Sequence, residues 1–193
     1  MLACRIHAKE DLRVEPMTAP SPGPGEVLLR LGAGGICGSD LHYYFEGRNG
    51  SFVVREPLIP GHEASATVEA VGPGVTRVKK GDRVAVSPSH ACGRCEGCRQ
   101  GREQLCSAMR FLGSASLFPH VQGMFRELFV MGERQCYPVA GDVSFGEPRN
   151  YYLAGRDRIA DRDVLKIEYY PTALFGPDSE RAREAPKGET AAK

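Results

Sequence analysis

Apolar and polar residues alternate with a period of two over residues 1–7, 26–31, 62–71 and 124–131, which predicts strands that bury one face. Gly81-Asp82 opens a further strand that runs through Val84 and Val86. Turn chemistry separates these runs: Pro20-Ser21-Pro22-Gly23-Pro24-Gly25 leads into one strand and Gly72-Pro73-Gly74 closes another. A short helix is expected over 39–45, with Ser39 as N-cap and Asp40 in its first turn. The whole of 1–145 therefore reads as a mainly β fold, a barrel carrying loops and few short helices. Past 145 the pattern changes to tyrosine pairs and many charges, in which 163–170 offers one strand or helical turn. Residues 146–193 form a separate segment, and 176–193, nearly without large apolar residues, are expected to be disordered.

Composition adds bounds to this picture. The chain has 193 residues, 41% of them hydrophobic and 25% charged, which fits one ordinary domain with an appendage. Its 23 glycines and 14 prolines agree with many turns. Twenty-five basic and 24 acidic residues leave a net charge of +1, so no overall field draws nucleic acid or an anionic membrane. The N-terminal alternation is unlike a signal peptide, and no run approaches the ~20 apolar residues of a membrane helix. A cytoplasmic setting follows, in which the odd number of cysteines, seven, points to metal ligands and not to disulfides.

Four of those cysteines crowd together. Cys92, Cys95 and Cys98 are evenly spaced and Cys106 follows, with Gly93 and Gly97 giving the chain freedom to wrap an ion. Four thiolates satisfy tetrahedral zinc and leave no position for substrate, so this zinc is expected to hold a loop in place. A nucleic-acid zinc ribbon spaces two C-x2-C knuckles by about 15–20 residues. That spacing is not found here, and the neutral charge also speaks against it.

A second constellation mixes ligand types. Cys37, ahead of the expected helix, and His62-Glu63 offer a thiol, an imidazole and a carboxylate, and three protein ligands with an open position characterise catalytic zinc. On spacing alone such residues are more often part of a core. Cys4, Cys136, His7, His90 and His120 have no metal-like neighbours in the sequence and are read as core, surface or satisfied structural residues. Gly32-Ala33-Gly34-Gly35-Ile36-Cys37 is a near miss of a dinucleotide loop, with Cys37 where the third glycine belongs.

Taken in order, Cys37-Gly38-Ser39-Asp40-Leu41-His42, Gly61-His62-Glu63, Gly81-Asp82-Arg83-Val84 and the four-cysteine run resemble the zinc-dependent medium-chain alcohol and polyol dehydrogenases over about 1–145. Ser39-Asp40-Leu41-His42-Tyr43-Tyr44 and Phe118-Pro119-His120-Val121-Gln122-Gly123 resemble the polyol and aldonate branch, near L-idonate 5-dehydrogenase and sorbitol dehydrogenase. The resemblance implies a GroES-like β-barrel with two zinc ions, one structural and one catalytic, and NAD or NADP held by a following Rossmann domain. It makes Cys37 and His62 catalytic-zinc ligands with Glu63 adjacent, Ser39 the acceptor of the substrate proton and His42 its outlet. Glu147, before Pro148, is a candidate for a further carboxylate of that site, although an exposed loop carboxylate is the more ordinary reading. It implies a small polyol or sugar acid as substrate and leaves homo-oligomerisation open.

Residues 146–193 contain no G-x-G-x-x-G pattern, so no residue is assigned to nucleotide binding and the Rossmann domain is expected to be absent. Two functions stand on the sequence. One is an oxidoreductase domain, truncated and inactive alone; the other is a zinc-stabilised binding or structural module without turnover.

Overall fold

In the computed structural model, residues 1–139 are described in full, together with the backbone pairing of 151–159 and 162–169. Strand β1 (Leu2–Ala8) pairs antiparallel with β2 (Asp11–Pro16). After β3 (Glu26–Gly35) come helix α1 (Gly38–Glu46), the short pair β4 (Arg48–Asn49) and β5 (Phe52–Val53), β6 (Glu63–Val71) and β7 (Arg83–Val86). Then follow β8 (Ser89–His90), the single turn α2 (Glu96–Arg99), β9 (Arg110–Phe111), β10 (Leu128–Gly132) and β11 (Cys136–Pro138). Past 139, β12 (Tyr151–Ile159) and β13 (Arg162–Tyr169) pair antiparallel, so the run expected at 163–170 is a strand. Glu147 and 176–193 lie outside the described residues.

The centre is a five-stranded antiparallel sheet in the order β10-β3-β6-β7-β11. The alternation works as expected: along β3, Val27 and Leu29 are buried, while Leu28 is half-buried and Arg30 is exposed and pairs with Glu69. Val27, Leu29, Ala66, Val68, Val84, Met124, Phe129 and Cys136 form the main core. Each large aliphatic or aromatic side chain enclosed there contributes about 1.5–3 kcal/mol. The expected barrel is not closed among the described residues. β10 and β11 remain edges, and the β1–β2 hairpin meets the rest through the single bridges Ala3↔Arg126 and Ile6↔Leu58 instead of a continuous ladder.

A smaller core of Ile6, Tyr43, Leu58 and Ala115 fixes α1. Tyr43 is fully enclosed, and its hydroxyl accepts the Ala115 N–H at 3.0 Å. The helix starts two residues earlier than a Ser39 cap predicts, with Cys37 as N-cap. The cause is Asp40, whose Oδ2 reaches back to accept the Cys37 N–H at 2.9 Å and so sets the first turn around Cys37. Strand β10 also starts later than 124, because the backbone of Met124 and Phe125 bonds to Gly61 and Pro60 instead of to a neighbouring strand. No helix among the described residues is long and apolar enough to cross a membrane.

Candidate metal centres

Strands β3 and β6 pair so that Gly35 lies opposite Glu63. The end of one strand and the start of the other therefore bring Cys37 and His62 together, although they are distant in sequence. The ligand-type atoms of Cys37, His62 and Glu63 all lie within 4.8 Å of one another. Gly35 leaves room for the Glu63 carboxylate in this position, where a Cβ would displace it. Gly61 holds φ +92° against the Phe125 ring, and the backbones of Gly113 and Gly123 close in on it so tightly that neither has room for a side chain. His62 thus sits on a turn that packing allows in one shape.

Asp40 lies beneath the cluster. It is 4% exposed, its Oδ1 accepts the Gly61 N–H at 3.0 Å and stands 3.7 Å from His62 Nδ1. Burial raises its carboxyl pKa, against the opposing pull of the Cys37 N–H, the His62 charge and the Gly61 N–H. His62 Nδ1 is buried without a hydrogen-bond partner. The ring also rests on Phe111, with centroids 5.4 Å apart. Sequence reasoning placed Asp40 only in the first turn of a helix and did not find Phe111. The signal for Asp40 was its position three residues after Cys37, the spacing of a capping box.

On the outer side of α1 the structure places Ser39, half-buried, and His42, exposed, with His42 Nδ1 2.8 Å from Glu46 Oε1. Glu147 falls outside the described residues, so its relation to this cluster is not part of the geometry.

The four-cysteine lobe hangs between β8 and β9, whose two paired residues on each side close its base. Cys92, Cys95, Cys98 and Cys106 bring their sulfurs within 4.8 Å of one another. The Cys92–Cys98 and Cys95–Cys98 sulfurs are 4.0 and 3.5 Å apart. That is too far for a covalent S–S bond and near the roughly 3.8 Å edge of a tetrahedron with Zn–S of about 2.3 Å. All seven cysteines are free thiols. Gly93 takes φ +70°, and Gly97 passes so close to the Leu105 and Arg102 carbonyls that a Cβ would be crowded.

Within the lobe the thiols pull apart in acidity. Backbone N–H groups of Cys98 and Ser107, with the neighbouring thiols, bring Cys95 down to about 6, and those of Arg94 and Cys95 lower Cys92. Desolvation, then the crowding sulfurs of Cys95 and Cys106, push Cys98 up to about 12. The donors can form thiolates, but not all at once without a cation among them. Both clusters therefore fit zinc by donor chemistry.

The remaining histidines behave as structural residues. His120 is buried, accepts the Arg55 N–H on Nε2 at 2.9 Å and donates from Nδ1 to the Leu117 carbonyl at 2.8 Å. His7 pairs with Glu15, and His90 with Gln135. A cleft of about 420 Å³ beside the lobe, lined by His90, Met109, Glu133, Arg134 and Tyr137 among others, touches neither metal cluster's donors.

Comparison with known proteins agrees with this arrangement. The alcohol dehydrogenase GroES-like domain matches residues 23–141. Sorbitol dehydrogenase of Bacillus subtilis is 41% identical over 147 residues, covering 76% of this chain and 40% of the relative. L-Idonate 5-dehydrogenase (NAD(P)(+)) of Escherichia coli K-12 is 38% identical over 151 residues, 76% of this chain and 43% of its own length. The crystal structure of the Escherichia coli L-idonate 5-dehydrogenase superposes with a TM-score of 0.69 at 36% identity, over 74% of this chain and 40% of that one. The chain thus spans about two-fifths of the length of these relatives. With the motifs, the strand register and the match over 23–141 in agreement, the chain belongs to the alcohol dehydrogenase GroES-like domain family of zinc-type medium-chain dehydrogenases.

Proposed function

We propose that the chain is the catalytic, metal-binding part of a zinc-dependent oxidoreductase that takes hydride from a secondary alcohol of a polyol or sugar acid to NAD or NADP. Residues 1–145 constitute the domain and 146–193 a distinct segment. The observation that carries this reading is the convergence of Cys37, His62 and Glu63 within 4.8 Å over a buried Asp40, in a chain of this family. Cys37 and His62 would hold the catalytic zinc, with Glu63 beside it, and Cys92, Cys95, Cys98 and Cys106 the structural one. Zinc in the first place supplies Lewis-acid polarisation of an alcohol oxygen.

The chain's own residues do the rest. Asp40 sets a carboxylate 3.7 Å from His62 Nδ1, which favours the tautomer that carries its hydrogen on that nitrogen. Ser39 takes the substrate hydroxyl proton, because a hydroxyl donates and accepts at once. His42, three positions on along the same face of α1, carries that proton to solvent. The substrate class is supported by the relatives named sorbitol and L-idonate 5-dehydrogenase.

Cobalt substitution tests the metal assignments: two spectroscopically distinct ions are expected, one lost in His62→Ala and the other in Cys95→Ser. If His62→Ala leaves both signals intact, the ligands are wrong. The 193-residue chain by itself is expected to form no NADH or NADPH from sorbitol or idonate. Hydride transfer needs the nicotinamide held at about 3–3.5 Å, a placement worth roughly 7–11 kcal/mol of the barrier. A zinc-dependent rate abolished by Ser39→Ala would overturn that expectation and assign nucleotide binding to 146–193.

A further inference from the structure

The face of α1 that presents Ser39 and His42 ends on Glu46, the last helical residue before Gly47 turns the chain at φ +68°. His42 Nδ1 and Glu46 Oε1 are 2.8 Å apart. A carboxylate only accepts, so the hydrogen of this bond belongs to the imidazole Nδ1. Glu46 stands where helix physics disfavours it. The C-terminal turn of a helix carries partial negative charge, and this turn has no basic residue of its own to offset a carboxylate. The partner the structure gives Glu46 is His42, one turn back.

We propose that Glu46 is a positioning residue for the proton outlet: it biases His42 toward the Nδ1–H tautomer and so leaves Nε2 as the atom that takes the proton. The inference deepens the reading of His42 as the last member of the relay and rests on it. A free neutral histidine favours the opposite tautomer, with its lone pair on Nδ1, and here that lone pair would face the Glu46 carboxylate. With Glu46 in place the cycle balances. The substrate proton arrives at Nε2, the ring becomes an imidazolium bonded through Nδ1–H to Glu46, and Nε2 returns that proton to water while the Nδ1 hydrogen stays where it was. The ring need not flip or exchange its hydrogens between turnovers.

The test is two-bond nitrogen–proton NMR of the imidazoles in the full 193-residue chain, at a pH where His42 is neutral, with His42→Gln identifying its signals among the five histidines. Both side chains are about half exposed, so the bond is worth the modest energy of an exposed pair. The ratio of Nδ1–H to Nε2–H forms is expected to fall about 2- to 5-fold in Glu46→Ala. Glu46→Gln, whose amide oxygen still accepts, should retain most of the bias. An unchanged ratio in Glu46→Ala overturns the proposal, and so does a Gln variant that behaves like Ala. A role confined to helix stability would move melting without moving the tautomer ratio. The measurement needs neither metal nor cofactor, so its failure leaves the zinc assignments standing, and loss of those assignments leaves the tautomer bias measurable.

Discussion

The two metal clusters are built in opposite ways. Cys92, Cys95, Cys98 and Cys106 come from one short stretch, and the lobe around them has little else to hold it. Its helical turn buries no side chain, Leu105 is 60% exposed, and Cys106 alone of the lobe's cysteines is buried. Cys37, His62 and Glu63 come from the ends of two strands and a helix start, and their backbone is fixed by the β3–β6 register, the Gly61 turn and the Tyr43 anchor. On the proposed assignment the lobe would depend on its ion to hold its shape, whereas the second cluster is shaped by the strand register and packing of the fold. Local ligands give a metal the power to fold a loop, and remote ligands let a fold hold a metal with a position to spare.

Removing zinc is therefore expected to have its largest effect on the lobe. Structural zinc in finger peptides binds with roughly 10–16 kcal/mol of apparent free energy, so chelation, or Cys92→Ser, should unfold 92–106 while the sheet persists. Hydrogen exchange would show this as lost protection in the lobe and unchanged protection in β3 and β6. If the lobe keeps its protection after chelation, it is stabilised by something other than the ion and the contrast between the sites fails.

Next in size is the converse change, to the fold behind the second cluster. Gly61→Ala puts a Cβ into the Phe125 ring at a left-handed φ and should destabilise the chain by about 3 kcal/mol, from strain and overpacking together. Thermal unfolding measures the loss, and cobalt spectra should show the His62 site altered while the thiolate site is unchanged. Asp40→Ala comes third. It removes the acceptor beside His62 Nδ1 and the link to the Gly61 and Cys37 N–H groups, so metal affinity at that cluster should drop about 10- to 100-fold. Equal affinity in the variant would mean that Asp40 only caps α1.

The contrast also explains what could be read from the chain beforehand. The cysteine lobe is local in sequence, so its spacing announces its geometry, and the period-two runs announce β3, β6 and β7 in the same way. Glu63 beside Cys37 depends on which residues of β3 and β6 face each other, and β3–β6 pairing slips at Leu28/Leu29 and Leu31/Ala33. No periodicity encodes those slips, so that cluster became legible through family motifs and not through spacing. The open sheet was missed for a related reason. Alternation fixes which face of a strand is buried, but Ala3↔Arg126 is a single bridge between distant residues, and whether edges meet is decided by such contacts. The glycines at 61, 113 and 123 act through close approach, which leaves only their residue type in the sequence, and Asp40 shows there only by its capping-box spacing from Cys37.

The smallest effect is expected at the cysteines that belong to neither site, and it separates a buried thiol from a ligand. Cys4 is 4% exposed in β1, and burial pushes its thiol up to about 12; Cys136 is fully enclosed and reaches about 11. Cys95, met by backbone N–H groups, is brought down to about 6. Both buried thiols therefore stay protonated at neutral pH, where Cys4→Ala should leave zinc content unchanged and cost on the order of 1 kcal/mol. The difference appears in alkali. The unfolded chain releases the Cys4 proton near 9 while the folded chain keeps it to about 12, so the unfolded state binds fewer protons across that window. Stability contributed by keeping this thiol neutral is complete below pH 9 and is lost as pH rises toward 12, by up to about 1.4 kcal/mol per unit. Cys4→Ala removes that slope. Urea unfolding at pH 8 and pH 10 should find wild type losing stability relative to the variant, and equal losses in both would mean that Cys4 is not shielded from water in the folded chain.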